Sequence, residues 1–156
     1  MITFRPARRD DLLAIVELLA NDALGSTRER FEEPLPSSYY VAFETIEKDP
    51  HNMLIVAQQQ SSVVGVLQLT LIPGLTYEGG WRAQIEGVRV ASELRGQGVG
   101  RALIEHAIKR AREAGCRLVQ LTTDKRRGEA VGFYESVGFR ATHEGMKLWF
   151  SDAPGH

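Results

Sequence analysis

A chain of 156 residues has the length of a single domain and can bury roughly 70% of the surface its unfolded form exposes. Its 43% hydrophobic and 25% charged content is ordinary for a soluble globular protein, and a formal net charge of −1 leaves no global field to draw it to nucleic acid or anionic lipid. The lone cysteine, Cys116, cannot form an internal disulfide, which fits a cytoplasmic setting, and it reads as a core residue at the head of a strand.

Ile2–Ala7 predicts a first strand, and Asp10 or Asp11 caps a helix running to about Asn21. The apolar run 12–20 inside that helix is interrupted by Glu17. It is too short to span a bilayer and has no signal-peptide cleavage pattern. Residues 22–36, with Gly25, Pro34 and Pro36 among scattered charges, have loop composition. Ser37 or Ser38 caps a second helix to about Lys48. Met53–Gln58 and Val63–Ile72 form a hairpin, with Leu67, Leu69 and Leu71 on one face and Gln68 and Thr70 on the other. A polar turn through Pro73-Gly74 and Gly79-Gly80 leads into a long strand, Trp81–Val90. After a glycine-rich loop, Val99, Leu103, Ala107, Ile108 and Ala111 mark one stripe of a helix. Leu118–Thr123 reads as a buried strand and 128–137 as a helix, and Phe139–Thr142 and Met146–Phe150 are expected to close the sheet. The predicted order is β-α-α-β-β-β-α-β-α-β-β, a mixed α/β sheet with helices on both faces. One domain covers 1–150, followed by a flexible tail, 151–156.

The most informative stretch is Arg95-Gly96-Gln97-Gly98-Val99-Gly100-Arg101, between the long strand and its helix. Glycine at alternate positions removes the side chains that would hold a ligand off the backbone, so successive N–H groups can converge on phosphate oxygens. The following helix adds its positive end and unpaired amides. The spacing is G-x-G-x-G rather than the dinucleotide G-x-G-x-x-G, and Gly100 is followed by Arg101-Ala102 rather than the Lys-Ser/Thr of a triphosphate loop.

Arg95–Gly100 resembles the Arg/Gln-x-x-Gly-x-Gly/Ala loop of the GNAT N-acetyltransferase superfamily, which binds the pyrophosphate of acetyl-CoA. Three further segments are similar to family elements in the same order. They are Ile2-Thr3-Phe4-Arg5-Pro6-Ala7 with Asp10-Asp11, Gly115-Cys116-Arg117-Leu118-Val119-Gln120-Leu121, and the Ala-x-x-Phe-Tyr-x-x-x-Gly-Phe run from Ala130 to Phe139. The resemblance spans nearly the whole chain and implies acetyl transfer from acetyl-CoA to the primary amine of a small molecule, without an acyl-enzyme.

That chemistry needs a base for the amine, an oxyanion donor and a proton for the departing thiolate. Glu86 is the first candidate base, acting through water. In simple alternation it shares a face with Val88 and Val90, and a carboxylate against apolar walls is pushed toward a higher pKa. A structural ion pair with Arg82 or Arg89 is the alternative for this side chain. Tyr134 stands where the family places the acid that protonates the thiolate, whereas Phe133 reads as packing. Gly87 invites a bulge that frees strand amides around Val88 for an oxyanion, and the edge Val88, Arg89, Val90 is expected to meet the pantetheine arm. The cofactor contacts implied are therefore Val88, Arg89, Val90 and Arg95 through Arg101, that is Arg95, Gly96, Gln97, Gly98, Val99, Gly100 and Arg101, with Arg127.

Arg127 marks a departure from the family, which often has Asn at this position. It is a candidate for a cofactor phosphate or an anionic substrate group, against the alternative of a solvated charge cluster in Lys125-Arg126-Arg127. From the fourth-strand region onward the chain is also similar to aminoalkylphosphonate acetyltransferases. The acceptor is expected near residues 22–40 and the Pro73–Trp81 turn, with Tyr39, Tyr40, Tyr77 and Trp81 as walls and Glu32, Glu33 or Glu78 attracting a cation. His51, His106 and His143 lack ligand spacing, so no metal is expected. A CoA-binding regulatory module without turnover and a protein lysine or N-terminal acetyltransferase are the alternative functions. Exposed sheet edges suggest a homodimer.

Overall fold

The computed structural model describes residues 1–151, so the predicted tail lies outside the described residues except for Ser151. The elements are β1 (Ile2–Pro6), α1 (Leu12–Ala20) entered through a 3-10 turn at Arg9–Asp11, α2 (Gly25–Arg28), α3 (Ser37–Lys48), β2 (Asn52–Gln59), β3 (Ser62–Ile72), the single turn α4 (Thr76–Gly79), β4 (Arg82–Val90), α5 (Val99–Glu113), β5 (Leu118–Leu121) and α6 (Ala130–Val137). A further 3-10 turn, Ser92–Leu94, precedes the glycine loop. One five-stranded sheet runs in the order β1-β2-β3-β4-β5, antiparallel throughout except for the parallel β4–β5 pair.

Period-two patterning sets the hairpin register: Leu67 and Leu69 are buried, while Gln68 and Thr70 point to the opposite face and both donate to Asn52 Oδ1. On the Leu67 face, α5 buries Val99, Leu103, Ile104, Ala107 and Ala111. Gly65 is hemmed in by the strands on either side, because a Cβ there would stand 3.2 Å from Ala57 Cβ and 3.3 Å from the Arg89 carbonyl oxygen. A second cluster, Leu12, Val16, Leu35 and Phe43, holds α1 and α3 together. The helix start near Ser37 is correct, but neither serine is the cap: Pro36 occupies that position and no side-chain cap bond forms. Asp11 instead accepts from the Arg8 amide and pairs with Arg5 at 2.7 Å, tying the start of α1 to β1.

Two expectations at the C-terminal end are corrected. Residues 138–151 form no strand, so Phe139–Thr142 and Met146–Phe150 do not close the sheet. In consequence β5 is a four-residue edge strand whose members are all at least partly exposed, rather than a buried strand to Thr123. Alternating residues make a segment competent for pairing, but a strand forms only where another edge meets it.

Candidate functional site

β4 is the strand on which the candidate site depends. Its parallel ladder with β5 stops at Ile85 opposite Leu121, so from Glu86 to Val90 its outer edge has no strand beside it. Its inner edge is paired with β3 but slips at Gly87. Glu86 faces Gln68 and Arg89 faces Val66, so two residues of β4, Gly87 and Val88, stand against Leu67 alone. Gly87 adopts φ +64°, which glycine reaches without steric cost, and a bulge results as its position in the strand predicts.

The bulge overturns the alternation assumed for Glu86. An extra residue between 86 and 89 puts Arg89, not Val90, on the Glu86 face; Val90 lies opposite, where a Cβ on Gly100 would stand 3.5 Å from its Cγ2. Glu86 is exposed, and its neighbours across the sheet and along the strand are Gln68 and Gln84 rather than apolar walls. The Glu86 carboxylate thus does not stand against apolar walls; it stands at the mouth of the open edge. The predicted pairing with Arg82 or Arg89 does not occur for Arg89, whose guanidinium goes elsewhere.

Where it goes is the feature that sequence reading missed. Arg89 Nε lies 3.2 Å from Asp22 Oδ2, and its Nη1 donates to the Val88 carbonyl at 2.8 Å. Arg127 Nη1 donates to the same Asp22 oxygen at 2.6 Å, and Asp22 also accepts from the Gly25 amide. Burial raises the Asp22 carboxyl, but the Arg127 hydrogen bond, the Gly25 amide and the charges of Arg89 and Arg127 outweigh it and hold the group below the usual carboxylate range. Asp124 is shared in the same way by Arg28 and Arg126, at 3.0 and 2.7 Å. Arg127 is thus held in an ion pair rather than standing as a solvated surface charge, and it ties the end of α1 to the segment before α6.

A depressed folded-state value means that Asp22 stabilises the fold above the ordinary carboxylate range and that this contribution disappears as pH falls through its folded value. Asp22→Asn is expected to cost roughly 1–3 kcal/mol at neutral pH, as for a hydrogen bond to a charged group. The gap between variant and wild type in urea unfolding closes as pH falls below about 4. A gap independent of pH would show that the ion pairs contribute nothing to the fold.

Tyr134, on α6, is half-buried, with Phe133 at 5.1 Å and Phe139 at 5.8 Å, both edge-on. Burial pushes its hydroxyl above the ordinary phenol value, and the charges of Arg89 and Arg127 offset only part of this. The phenol is consequently protonated at neutral pH, the state a proton donor needs. Phe133 is the packing residue expected: it is half-buried against the core, and its Cζ would lie in ordinary contact, 3.6 Å, from a Cβ on Gly100, so α5 and α6 meet there.

The loop itself runs from Arg95 through Gly96 and Gly98. Gly98, at φ +84°, is the left-handed residue that caps α5. Ala102 makes the first bond back into it, at 3.0 Å to the Gly98 carbonyl. The amides of Val99, Gly100 and Arg101 belong to the first helical turn and have no acceptor within the helix. Gln97 closes the turn by donating to Leu94 and Glu93 carbonyls, and Arg101 reaches the Ser136 carbonyl on α6 at 3.2 Å. Nothing lies within 4 Å of a Cβ on Gly96 or Gly98, so the space over the loop is open.

The expected acceptor walls are engaged locally. Tyr39 donates to Glu29, Tyr40 lies under Arg9 at 4.5 Å, Tyr77 under Arg117 at 5.4 Å, and Trp81 meets His51 at 5.0 Å. Glu33 and Tyr40 join Leu13, Pro34 and Leu35 around an open cavity of about 450 Å³. Among the described residues no group of three or more His, Cys, Asp or Glu is arranged to hold a metal, and no helix is long and apolar enough to cross a membrane. Burial raises the Cys116 thiol, which suits packing rather than nucleophilic chemistry.

Comparison with known proteins supplies a family. The acetyltransferase (GNAT) family matches residues 19–139. Aminoalkylphosphonate N-acetyltransferase of Salmonella typhimurium is 32% identical over 95 residues, 61% of each chain. Glucosamine 6-phosphate N-acetyltransferase of Trypanosoma brucei brucei is 35% identical over 91 residues, 58% of this chain and 60% of that one. The chain therefore spans about three fifths of the length of these two relatives. Over nearly its whole length it superposes on a crystal structure of a protein from Bacillus halodurans described as a transcriptional regulator, with a TM-score of 0.94 and 55% identity, covering 96% of this chain and 100% of that one.

Proposed function

Since the chain belongs to the acetyltransferase (GNAT) family, we propose that it moves the acetyl group of acetyl-CoA directly to the primary amine of a small molecule. The observation that carries this reading is the junction of two features: the β4 edge opens at Glu86, and the glycine loop and unpaired first turn of α5 stand at the end of that same edge. The residues present fit the coenzyme. The amides of the Gly98–Arg101 turn suit its diphosphate, and the main chain of Val88, Arg89 and Val90 suits the amides of its pantetheine arm. Acetyl-CoA supplies an activated thioester; the protein supplies position and protons.

An alkyl amine has a pKa near ~10 and arrives protonated at neutral pH. Glu86, at the mouth of the open edge, takes that proton through water. The bulge at Gly87–Val88 turns main-chain amides away from the ladder, which suits them to the oxygen that gains charge as the C–N bond forms. The Tyr134 hydroxyl gives its proton to the sulfur as the C–S bond breaks. Asp22 with Arg89 and Arg127 positions α6, and hence Tyr134, against β4.

Glu86→Gln tests the base. Because the site is exposed, solvent partly substitutes, and turnover is expected to fall by about 10², the lower end for general-base catalysis. An unchanged rate would remove Glu86 from the mechanism. The acceptor is best read as an amine carrying a phosphate or phosphonate. Two arginines, 89 and 127, share one carboxylate, Asp22, in this region, and the two relatives described above are named for phosphorus-bearing amines. A panel of such amines beside their uncharged counterparts, assayed by thiol release with coenzyme binding measured in parallel, tests both statements. Release with the anionic amines only supports the reading, release with the neutral ones only overturns the narrower part, and binding without release from any amine points to a regulatory module.

A further inference from the structure

On the sheet face that carries Glu86, apolar cover stops short. Leu54, opposite Gln68, packs against the cluster that joins α1 and α3. The next row is different. Asn52 lies opposite Thr70, Thr70 opposite Gln84 and Gln84 opposite Gln120, so β2, β3, β4 and β5 set neutral polar residues in one line, each at least partly exposed. Gln68 stands beside this line and directly opposite Glu86, the one charged member of the group. Asparagine is depleted from strands, where β-branched and aromatic residues fit best. Carboxamides in adjacent rows of one face give up that preference, and a local rule broken in this way marks a functional surface.

The carboxamides are already oriented. Asn52 Nδ2 donates to Asp49 at 2.7 Å, and its Oδ1 accepts from Gln68 Nε2 at 3.0 Å and from Thr70 Oγ1 at 2.6 Å. Gln120 Nε2 donates to Gln84 Oε1 at 2.8 Å. These bonds leave the Gln84 Nε2 donors and the Oε1 acceptors of Gln68 and Gln120 for a ligand. Donors beside acceptors, without net charge, match a hydroxyl group, which uses one of each. A second ammonium group calls for carboxylates instead. An anion calls for guanidinium groups such as Arg89, which lies on the other side of Glu86 along β4.

We propose that Gln68, Gln84 and Gln120 read hydroxyl groups on the acceptor, so that the amine set before Glu86 is a polyhydroxylated one. The proposal rests on the reading of Glu86 as the base, which brings the amine beside this row. Gln68 is one strand spacing from Glu86, about 5 Å, and Gln84 two residues along the strand, roughly 7 Å. Hydroxyls a few bonds from the nitrogen fall within reach of both. An exposed carboxylate alone accepts any amine; the carboxamide row makes it selective.

Matched pairs of primary amines test this: glucosamine with cyclohexylamine, glucamine with hexylamine, and serinol with isopropylamine. With acetyl-CoA and the full chain, kcat/KM is expected to favour the polyhydroxylated member of at least one pair by about 10², below the limit for a closed hydroxyl site because these carboxamides are partly exposed. Hydroxyls also lower an amine's own pKa, so the decisive figure is the change in that ratio in Gln84→Leu and Gln68→Leu. Each variant is expected to reduce it about tenfold, as for one or two neutral hydrogen bonds, with an unchanged circular dichroism spectrum. The glutamine side-chain amide signals in NMR, followed as the same amines are added in the presence of coenzyme A, report binding without turnover. Shifts with the polyhydroxylated amines but no thiol release uphold the carboxamide surface and sink the acetyl-transfer reading. Thiol release with the ratio unchanged in both variants upholds transfer and overturns this inference, as does a peptide amine that outpaces every member of the panel. An absence of shifts with all of the polyhydroxylated amines overturns it as well.

Discussion

Tyr134→Phe should lower kcat by roughly 10²–10³ and leave the KM for acetyl-CoA and the melting temperature nearly unchanged. The substitution removes one oxygen and keeps the ring, so the edge-on contacts with Phe133 and Phe139 survive. A positioned acid contributes about 10²–10⁴. The lower part of that range applies here, because the departing thiol has a pKa near ~8.5 and leaves tolerably as the anion. Burial raises the Tyr134 hydroxyl, so the wild type keeps its proton at neutral pH and the loss should be largest there. Around and above pH ~8.5 the thiolate needs no proton, and the difference between variant and wild type should narrow. Full turnover by the variant would leave Tyr134 a packing residue.

Gly98→Val should weaken coenzyme binding by roughly 10²–10⁴ while the protein still folds. At φ +84° a β-branched residue is strained by about 1–2 kcal/mol, which a domain of this size tolerates. Space is not the obstacle, since nothing lies within 4 Å of a Cβ there. The obstacle is to the ligand: the side chain would stand over the amides that open α5, and each hydrogen bond to a charged group is worth roughly 1.5–3 kcal/mol, so losing two gives the stated range. Calorimetry with acetyl-CoA on a variant shown to be folded by circular dichroism measures it. Tight binding by that variant would move the coenzyme away from this loop and with it the whole functional reading.

How far the sequence could be read depends on how local each feature is. The strand, glycine loop and helix from Arg82 to Glu113 are contiguous, and their periodicities and spacing are self-contained, so the open turn at Gly96–Gly100 was legible. So was the bulge, because glycine inside a strand has few other uses. Its effect on direction was not: one extra residue inverts the faces beyond it, which turned Arg89 toward Asp22 and put Val90 on the opposite face. The Asp22–Arg127 bond joins residues 105 apart in the chain, and no pattern within either segment announces it. The final strands fail for a different reason. Met146–Phe150 has the alternation of a strand, but pairing belongs to two edges, and this chain's own fold leaves that segment without one.

The parting of β4 from β5 after Ile85 has a thermodynamic consequence. Main-chain groups that a neighbouring strand would have satisfied are left to water, so under the proposed function the coenzyme serves as a missing rung of the fold as well as a reactant. Its binding energy then adds to folding in proportion to the logarithm of its free concentration. Cells rich in acetyl-CoA would hold this protein tauter, and less open to proteases at Glu86–Val90, than starved ones.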